Sequence, residues 1–209
     1  ITFPQHSDDF SSSKLAHVWE FNHVPRKDKW SLTDRPGYFR IYAQYAKGFE
    51  WARNSLTQKV SGPYSTGTVS LDLTGLREGD FAGNGIMGRV MYQLGVRKKA
   101  DGFWLEMRQG GREGETDKIY LRTEVTKQGY LLFYYSLDNL EYNRLGPEGV
   151  SNFWGFLGIR HALCCYNLNK GATGGYADFD YFELESNRRG NHYDAFTEID
   201  FSQYDDREG

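Results

Sequence analysis

Apolar side chains recur at every second position through most of the chain, the period of a strand with one face in a core. In TVSLDLTGL, Val69, Leu71 and Leu73 fall on one face, Ser70 and Asp72 on the other. GFWLEMRQ sets Phe103, Leu105 and Met107 against Trp104, Glu106 and Arg108. IYLRTEV sets Ile119, Leu121, Thr123 and Val125 against Tyr120, Arg122 and Glu124. YLLFYYSL continues the pattern beyond the turn KQG, and stretches such as REGDFAGNG, RQGGREGETD, SLDNLEYN and NKGATGG punctuate the runs. Helical periodicity is scarce. More than about ten strands without a long helix predict an all-β chain folded as a two-sheet jelly-roll β-sandwich. Beyond Leu184 the alternation stops, so residues 1–186 are read as the sandwich and 187–209 as a linker.

Composition agrees with that reading. Fifteen Tyr, 14 Phe and 5 Trp with 24 Gly and only 5 Pro suit many strands joined by Gly-bearing turns. A net charge of −3, with both signs spread along the chain, argues against nucleic acid or an anionic membrane as partner. No apolar run reaches the roughly 18 residues that span a bilayer. The chain starts at Ile1, which is compatible with a removed leader and leaves localisation open. Cys164 and Cys165 are adjacent and would point to opposite faces of a strand, as two buried thiols rather than a disulfide. The five histidines lack zinc-ligand spacing.

Three motifs carry candidate chemistry. GNGIMG, residues 83–88, matches the dinucleotide fingerprint letter for letter, but a strand pattern follows where a helix is required, so its glycines read as a bend between strands. EIDFSQ, residues 198–203, is similar to the signature of laminarinase-like hydrolases, yet ends in Gln203, which can neither attack nor protonate. Asp178 and Asp180 in GGYADFDYFELE share a strand face about 7 Å apart along the backbone, a usable glycosidase separation. Alternation assigns Phe182 and Leu184 to that same face, which turns it into core. Acids so placed accept backbone N–H bonds from a loop or coordinate a structural calcium. The pair is therefore read as holding the sheet together, with calcium as the second role and catalysis as the third.

Taken together, VWEFNHVPRKDKWSL, DRPGYFRI, ARNSLTQKVSGP, REGDFAGNGIMG, YYSLDN, FLGIRHALCCYN and GGYADFDYFELE resemble the C-terminal concanavalin-A-like domain of family-43 glycoside hydrolases of the β-xylosidase and arabinofuranosidase type. That domain is also classed as carbohydrate-binding module family 91. The resemblance covers about residues 5 to 186 and preserves motif order, and nothing here is similar to the family's five-bladed catalytic propeller. It implies a concanavalin-A-like accessory domain, not an enzyme on its own, whose partners are xylan or xylo-oligosaccharides and the propeller of the same parent chain. It also implies a secreted or cell-associated bacterial parent enzyme that needs no cofactor here. In relatives a loop of this domain helps close the active-site pocket, and Phe156, before Leu157-Gly158, stands where that loop carries an aromatic residue; burial in the core is its alternative. The tail IDFSQYDDREG is similar to the opening strand of family-6 carbohydrate-binding modules, so another module would follow Gly209.

A neutral pyranose chain is gripped by aromatic faces and by hydrogen-bonding side chains at its hydroxyls. The non-core faces offer Asn22, Arg53, Gln58, Tyr92, Trp104 and Arg160 for that task, Trp104 most clearly because it opposes Phe103, Leu105 and Met107. Two rivals stand beside this reading. One is a purely structural domain that packs on the propeller; the other is an independent hydrolase using Asp178 with an acid such as Glu106.

Overall fold

The computed structural model describes residues 7–60, 64–88, 90–107, 110–114, 118–150, 158–172 and 174–186. The strands up to mid-chain are β1 (Glu20–Phe21), β2 (Trp30–Ser31), β3 (Phe39–Tyr42), β4 (Gln44–Tyr45), β5 (Leu56–Lys59), β6 (Ser65–Asp72), β7 (Asp80–Met87) and β8 (Tyr92–Lys99). There follow β9 (Gly102–Met107), β10 (Gly110–Gly114), β11 (Lys118–Val125), β12 (Tyr130–Ser136), β13 (Asn143–Arg144), β14 (Gly149–Val150), β15 (Arg160–Asn167) and β16 (Tyr176–Ser186). The first sheet runs β13-β12-β11-β6-β16-β3-β2, with β14 also on β12. The second runs β1-β5-β15-β7-β8-β9-β10, with β4 also on β15. All pairs are antiparallel except β15 with β4. The two layers form the concanavalin-A-like sandwich that the sequence predicts.

The alternating pattern builds the core as expected. Val69, Leu71, Leu121, Phe39 and Phe179 of the first sheet meet Leu56, Ala82, Ile86, Leu94 and Leu163 of the second. Each fully buried aliphatic or aromatic side chain contributes about 1.5–3 kcal/mol relative to an exposed one. The two cysteines part as predicted: Cys165 joins this core, and Cys164 faces the other side of its sheet. Both thiols are free and buried, and burial raises both pKa values.

One polar cluster sits between the layers. His161 is fully buried, with Nε2 2.9 Å from Ser65 Oγ and Nδ1 2.8 Å from Thr123 Oγ1. Asn84 donates Nδ2 to the Gly67 carbonyl at 2.9 Å beside it. Burial pushes the imidazole pKa down to about 3, so the ring is neutral, one nitrogen donating and the other accepting. A hydroxyl on an imidazole has the parts of a nucleophile–base pair, but with no exposed surface a substrate cannot reach it.

The start of the chain closes one edge. Beyond Phe179 the strand β3 no longer pairs with β16, and Asp8 takes its place, exchanging two 2.8 Å backbone hydrogen bonds with Phe182. Leu184 N–H donates to Ser7 Oγ at 2.9 Å. Trp19 Nε1 donates to Asp8 Oδ2 at 2.8 Å, and the Trp19 ring packs edge-on against Phe182.

The glycines of GNGIMG differ from expectation. Gly83 and Gly85 lie within β7, not at a bend, because the backbone there must be approached closely, and only Gly88 falls in a bend after the strand. A Cβ on Gly83 would lie 2.1 Å from the Leu94 carbonyl oxygen of the neighbouring strand, and one on Gly85 would meet the Phe49 ring at 2.7 Å. Strand β8 follows them, so the helix a dinucleotide would need is not the next element.

Candidate functional site

The outer face of the second sheet is partly roofed. Phe81, Met87, Ala162, Cys164 and Tyr166 project from it and form a second, smaller core with Ala46, Phe49 and Ala52. Phe49 seats on Gly85, where any side chain would collide with its ring, and so pins a 3-10 turn, Phe49–Trp51, across the strands. The chain lays a loop over this face and leaves a cleft of about 650 Å³ beside that loop.

The cleft mixes one large aromatic with convergent polar groups. Trp51 is 59% exposed, and the His23 ring stacks on it at 6.4 Å and 13°. His23 in turn is 2.8 Å through Nε2 from the Glu50 carbonyl, which fixes the turn from outside. On the floor, Tyr166 donates its hydroxyl to Gln93 Oε1 at 2.8 Å. Burial raises the Tyr166 phenol pKa, so it stays a neutral donor. Beside it Arg97 directs Nε at both oxygens of Glu106, at 3.0 and 2.9 Å, while its buried Nη1 has no hydrogen-bond acceptor among the described residues.

The residues expected to touch sugar divide into separate places. Trp104 lies on this outer face, half-exposed, with Nε1 donating to Asp101 at 3.0 Å and Lys99 Nζ 3.7 Å above its ring. Arg160 occupies the opposite corner of the same sheet, only 7% exposed, donating to Asn22 Oδ1 at 2.9 Å and Thr57 Oγ1 at 3.3 Å. Burial lowers the Arg160 pKa against a countering pull from Glu20. The register puts Trp104 and Arg160 three strands and six residues apart, roughly 24 Å at ordinary spacings. Asn22 and Arg160 thus meet, but they spend their polar groups on each other, tying β1, β5 and β15 together.

Arg53 is exposed and donates to the Val24 carbonyl at 3.4 Å from a turn. Asn54, in the same turn at φ 67°, clamps the backbone of Arg26, accepting from its N–H and donating to its carbonyl, both at 2.9 Å. Two expectations are corrected by burial. Gln58 is 2% exposed and faces the interior opposite His161, where no sugar reaches it. Tyr92 packs on Phe133 at 5.7 Å on the inner side, its hydroxyl accepting from Val150 N–H at 3.4 Å, so neither reaches the outer surface. Phe156 and the motif EIDFSQ lie outside the described residues.

The aspartate pair belongs to the other sheet. A register shift between Phe179 and Tyr181 inserts an extra residue, so Phe182 points inward while Asp178 and Asp180 stay on the outer face. Strict alternation had put Phe182 on the aspartates' face; the bulge reverses that. Arg40 grips Asp178 with two 2.7 Å bonds from Nε and Nη2, and Arg35 adds a third at 3.0 Å while also holding Asp72 at 2.6 Å. Asp178 is 1% exposed, and hydrogen bonds to it raise the pKa of Arg40 against the cost of burial. Asp180 takes Lys118 Nζ at 3.0 Å. Guanidinium groups rather than loop N–H groups therefore meet Asp178, and they stand where a calcium ion was considered. Asp178 and Glu106 lie on the outer faces of different sheets with the core between them, so they cannot flank one glycosidic bond.

Sequence reasoning missed Glu50, Trp51, Gln93 and Arg97. The last two were accessible to the argument that found Trp104, since Gln93 and Arg97 alternate with buried Leu94 and Val96 in β8. Trp51 carried no such signal, because a 3-10 turn shows no strand period.

Two antiparallel layers with a cleft over one outer face define a concanavalin-A-like β-sandwich domain. Residues 7–185 match the family described as the β-xylosidase C-terminal concanavalin-A-like domain, and the chain belongs to that family of glycoside hydrolase family 43. A β-xylosidase of Formosa agariphila is 33% identical over 215 residues, covering 88% of this chain and 36% of that enzyme. The solved structure of a bifunctional GH43-CE protein of Bacteroides eggerthii superposes with a TM-score of 0.78 at 35% identity, covering 86% of this chain and 25% of the other. Xylan β-1,4-xylosidase of Bacillus halodurans shares the fold, with a TM-score of 0.76 at 18% identity over 89% of this chain and 40% of that one. The chain thus spans well under half the length of these relatives.

Proposed function

We propose that this chain is a non-catalytic accessory domain of a family-43 glycoside hydrolase that binds xylan or xylo-oligosaccharides and works beside the catalytic propeller of its parent chain. The observation that carries this reading is the cleft: an exposed indole, Trp51, next to the hydrogen-bonding groups of Glu50, Gln93 and Arg97. Flat aromatic surface takes the apolar face of a pyranose, and the polar groups set its register. Covering roughly 80 Å² of the indole contributes about 2 kcal/mol, and each sugar hydrogen bond adds only about 1 kcal/mol because both partners leave water. Affinity is accordingly modest, and the parent's propeller, of β-xylosidase or arabinofuranosidase type, performs the hydrolysis. The domain helps shape the pocket of that partner.

Affinity electrophoresis in gels containing xylan tests the reading. Retarded migration that Trp51→Ala weakens about thirtyfold is expected, and unretarded migration of the unsubstituted 209-residue chain refutes it. A second reading, a structural domain packed on the propeller, draws support from the outer face of the first sheet. There Arg122 lies 3.6 Å over Tyr142, Arg40 3.8 Å over Tyr176 and Arg35 3.7 Å over Tyr38, a tyrosine–arginine surface of the composition that interfaces favour. On that reading the isolated chain migrates freely, and release of reducing sugar is expected on neither.

A further inference from the structure

We propose that Gln93 is the donor through which the cleft reads a xylan chain, and that the Tyr166 hydroxyl positions it by holding its amide in one orientation. The proposal rests on the xylan-binding reading and adds the residue that sets specificity, together with the chemistry it recognises: an uncharged group with an acceptor oxygen, such as a xylose hydroxyl or ring oxygen. Its first support is where the two side chains meet. By register, Tyr166, Phe81 and Arg97 form one row across β15, β7 and β8, and Ala162, Gly85 and Gln93 form another. Between them runs the row of Cys164, Gly83 and Gly95, whose small or missing side chains let the Tyr166 hydroxyl reach Gln93 Oε1 at 2.8 Å.

The second support is what this contact leaves over. A glutamine amide has one acceptor end and one donor end. The Tyr166 proton occupies the acceptor end, while no described residue takes a hydrogen bond from Nε2. Gln93 is half-buried and lines the cleft, and its Nε2 stays open to solvent. Arg97 keeps the phenol in this role. Burial raises the phenol pKa, and Arg97 stands close enough to draw it partly back. Glu106 holds Arg97 through Nε, and a guanidinium can only donate, so a hydroxyl beside it turns its proton away and toward Gln93. The two cations at the cleft, Lys47 and Arg97, are balanced by Glu50 and by Glu106, which suits a neutral ligand laid on Trp51. A donor already fixed in place spares the complex the cost of ordering it, and that is the contribution of Tyr166.

Calorimetric titration of the 209-residue chain with xylohexaose tests this through a double-mutant cycle. Gln93→Leu removes the donor and is expected to weaken binding about fivefold, the loss of one hydrogen bond. Tyr166→Phe deletes only the hydroxyl and frees the amide to turn, with an expected loss of about threefold. In the Gln93→Leu background, Tyr166→Phe is expected to change affinity no further, whereas a role in holding the shape of the cleft would cost the same in both backgrounds. Should Tyr166→Phe fail to fold, nuclear magnetic resonance supplies a second measurement on the unsubstituted chain. The Gln93 side-chain NH2 signals, identified by their loss in Gln93→Leu, are expected to shift when xylohexaose is added. Undiminished affinity in either single variant, a Tyr166→Phe loss that persists in the Gln93→Leu background, or unmoved NH2 signals in the bound chain overturns the proposal and leaves xylan binding standing. No binding by the unsubstituted chain overturns both.

Discussion

Lowering the pH should unfold this domain through one side chain. His161 has an ordinary pKa of about 6.5 in the unfolded chain, and burial holds it at about 3 in the folded one. The unfolded state therefore takes the proton first. Stability is complete above about pH 6.5 and falls as pH drops toward 3, by about 2 kcal/mol at pH 5 and by at most about 5 kcal/mol once both states are protonated. The imidazole is fully buried, so solvent does not screen this contribution. Protonation would also turn both ring nitrogens into donors, facing Ser65 and Thr123 hydroxyls that can each accept. Urea unfolding at pH 7 and pH 5, followed by tryptophan fluorescence, measures the difference directly. His161→Gln keeps a donor and an acceptor near the two hydroxyls but does not titrate. It should be less stable at pH 7 and lose about 2 kcal/mol less than the parent between the two pH values. Carboxylates with lowered pKa, such as Asp72 and Asp34, titrate below that window. Parallel losses in the two proteins would refute the assignment of the acid sensitivity to His161.

Three further outcomes follow from the geometry. Asp178→Asn leaves Arg40 and Arg35 without their buried anion and should cost about 3–5 kcal/mol in urea unfolding; a loss below 1 kcal/mol would mean the network is incidental. Because arginine already meets both Asp178 oxygens, adding calcium and then chelating it should leave the melting temperature unchanged, and a rise of several degrees with calcium would restore a metal role for the pair. Gly85→Leu removes the seat of the Phe49 ring, so it should destabilise the fold by about 1–3 kcal/mol and change Trp51 fluorescence; an unchanged emission spectrum would show that the turn does not depend on that glycine.

The layers were legible in the sequence because a sheet with one buried face writes its period directly into the chain, as at Val69/Leu71/Leu73 and Ile119/Leu121/Thr123/Val125. That same arithmetic failed wherever the backbone left the ideal strand. The extra residue near Asp180 parts the outward aspartates from the inward Phe182 and Leu184, which alternation had put on one face, and no composition cue marks such a bulge. No strand period marks Asn54, which adopts φ 67° in a turn and bonds a segment 28 residues away. Long-range partners were equally hidden. DRPGYFRI and GGYADFDYF were each conspicuous, but that Arg35 and Arg40 of one grip Asp178 of the other is a property of the fold. The cleft escaped because its aromatic edge comes from a loop folded over the sheet, which strand periodicity does not describe.

The pairing of Asp8 with Phe182 has a mechanical consequence. In this antiparallel register Ser7 and Ser186 both lie toward the same end of β16, so tension applied between them peels the Ser7–Leu184 and Asp8–Phe182 hydrogen bonds open one after another instead of shearing them together. A tug on a tethered chain would loosen that hem first, while Trp51 and its neighbours, on the opposite layer, keep their arrangement.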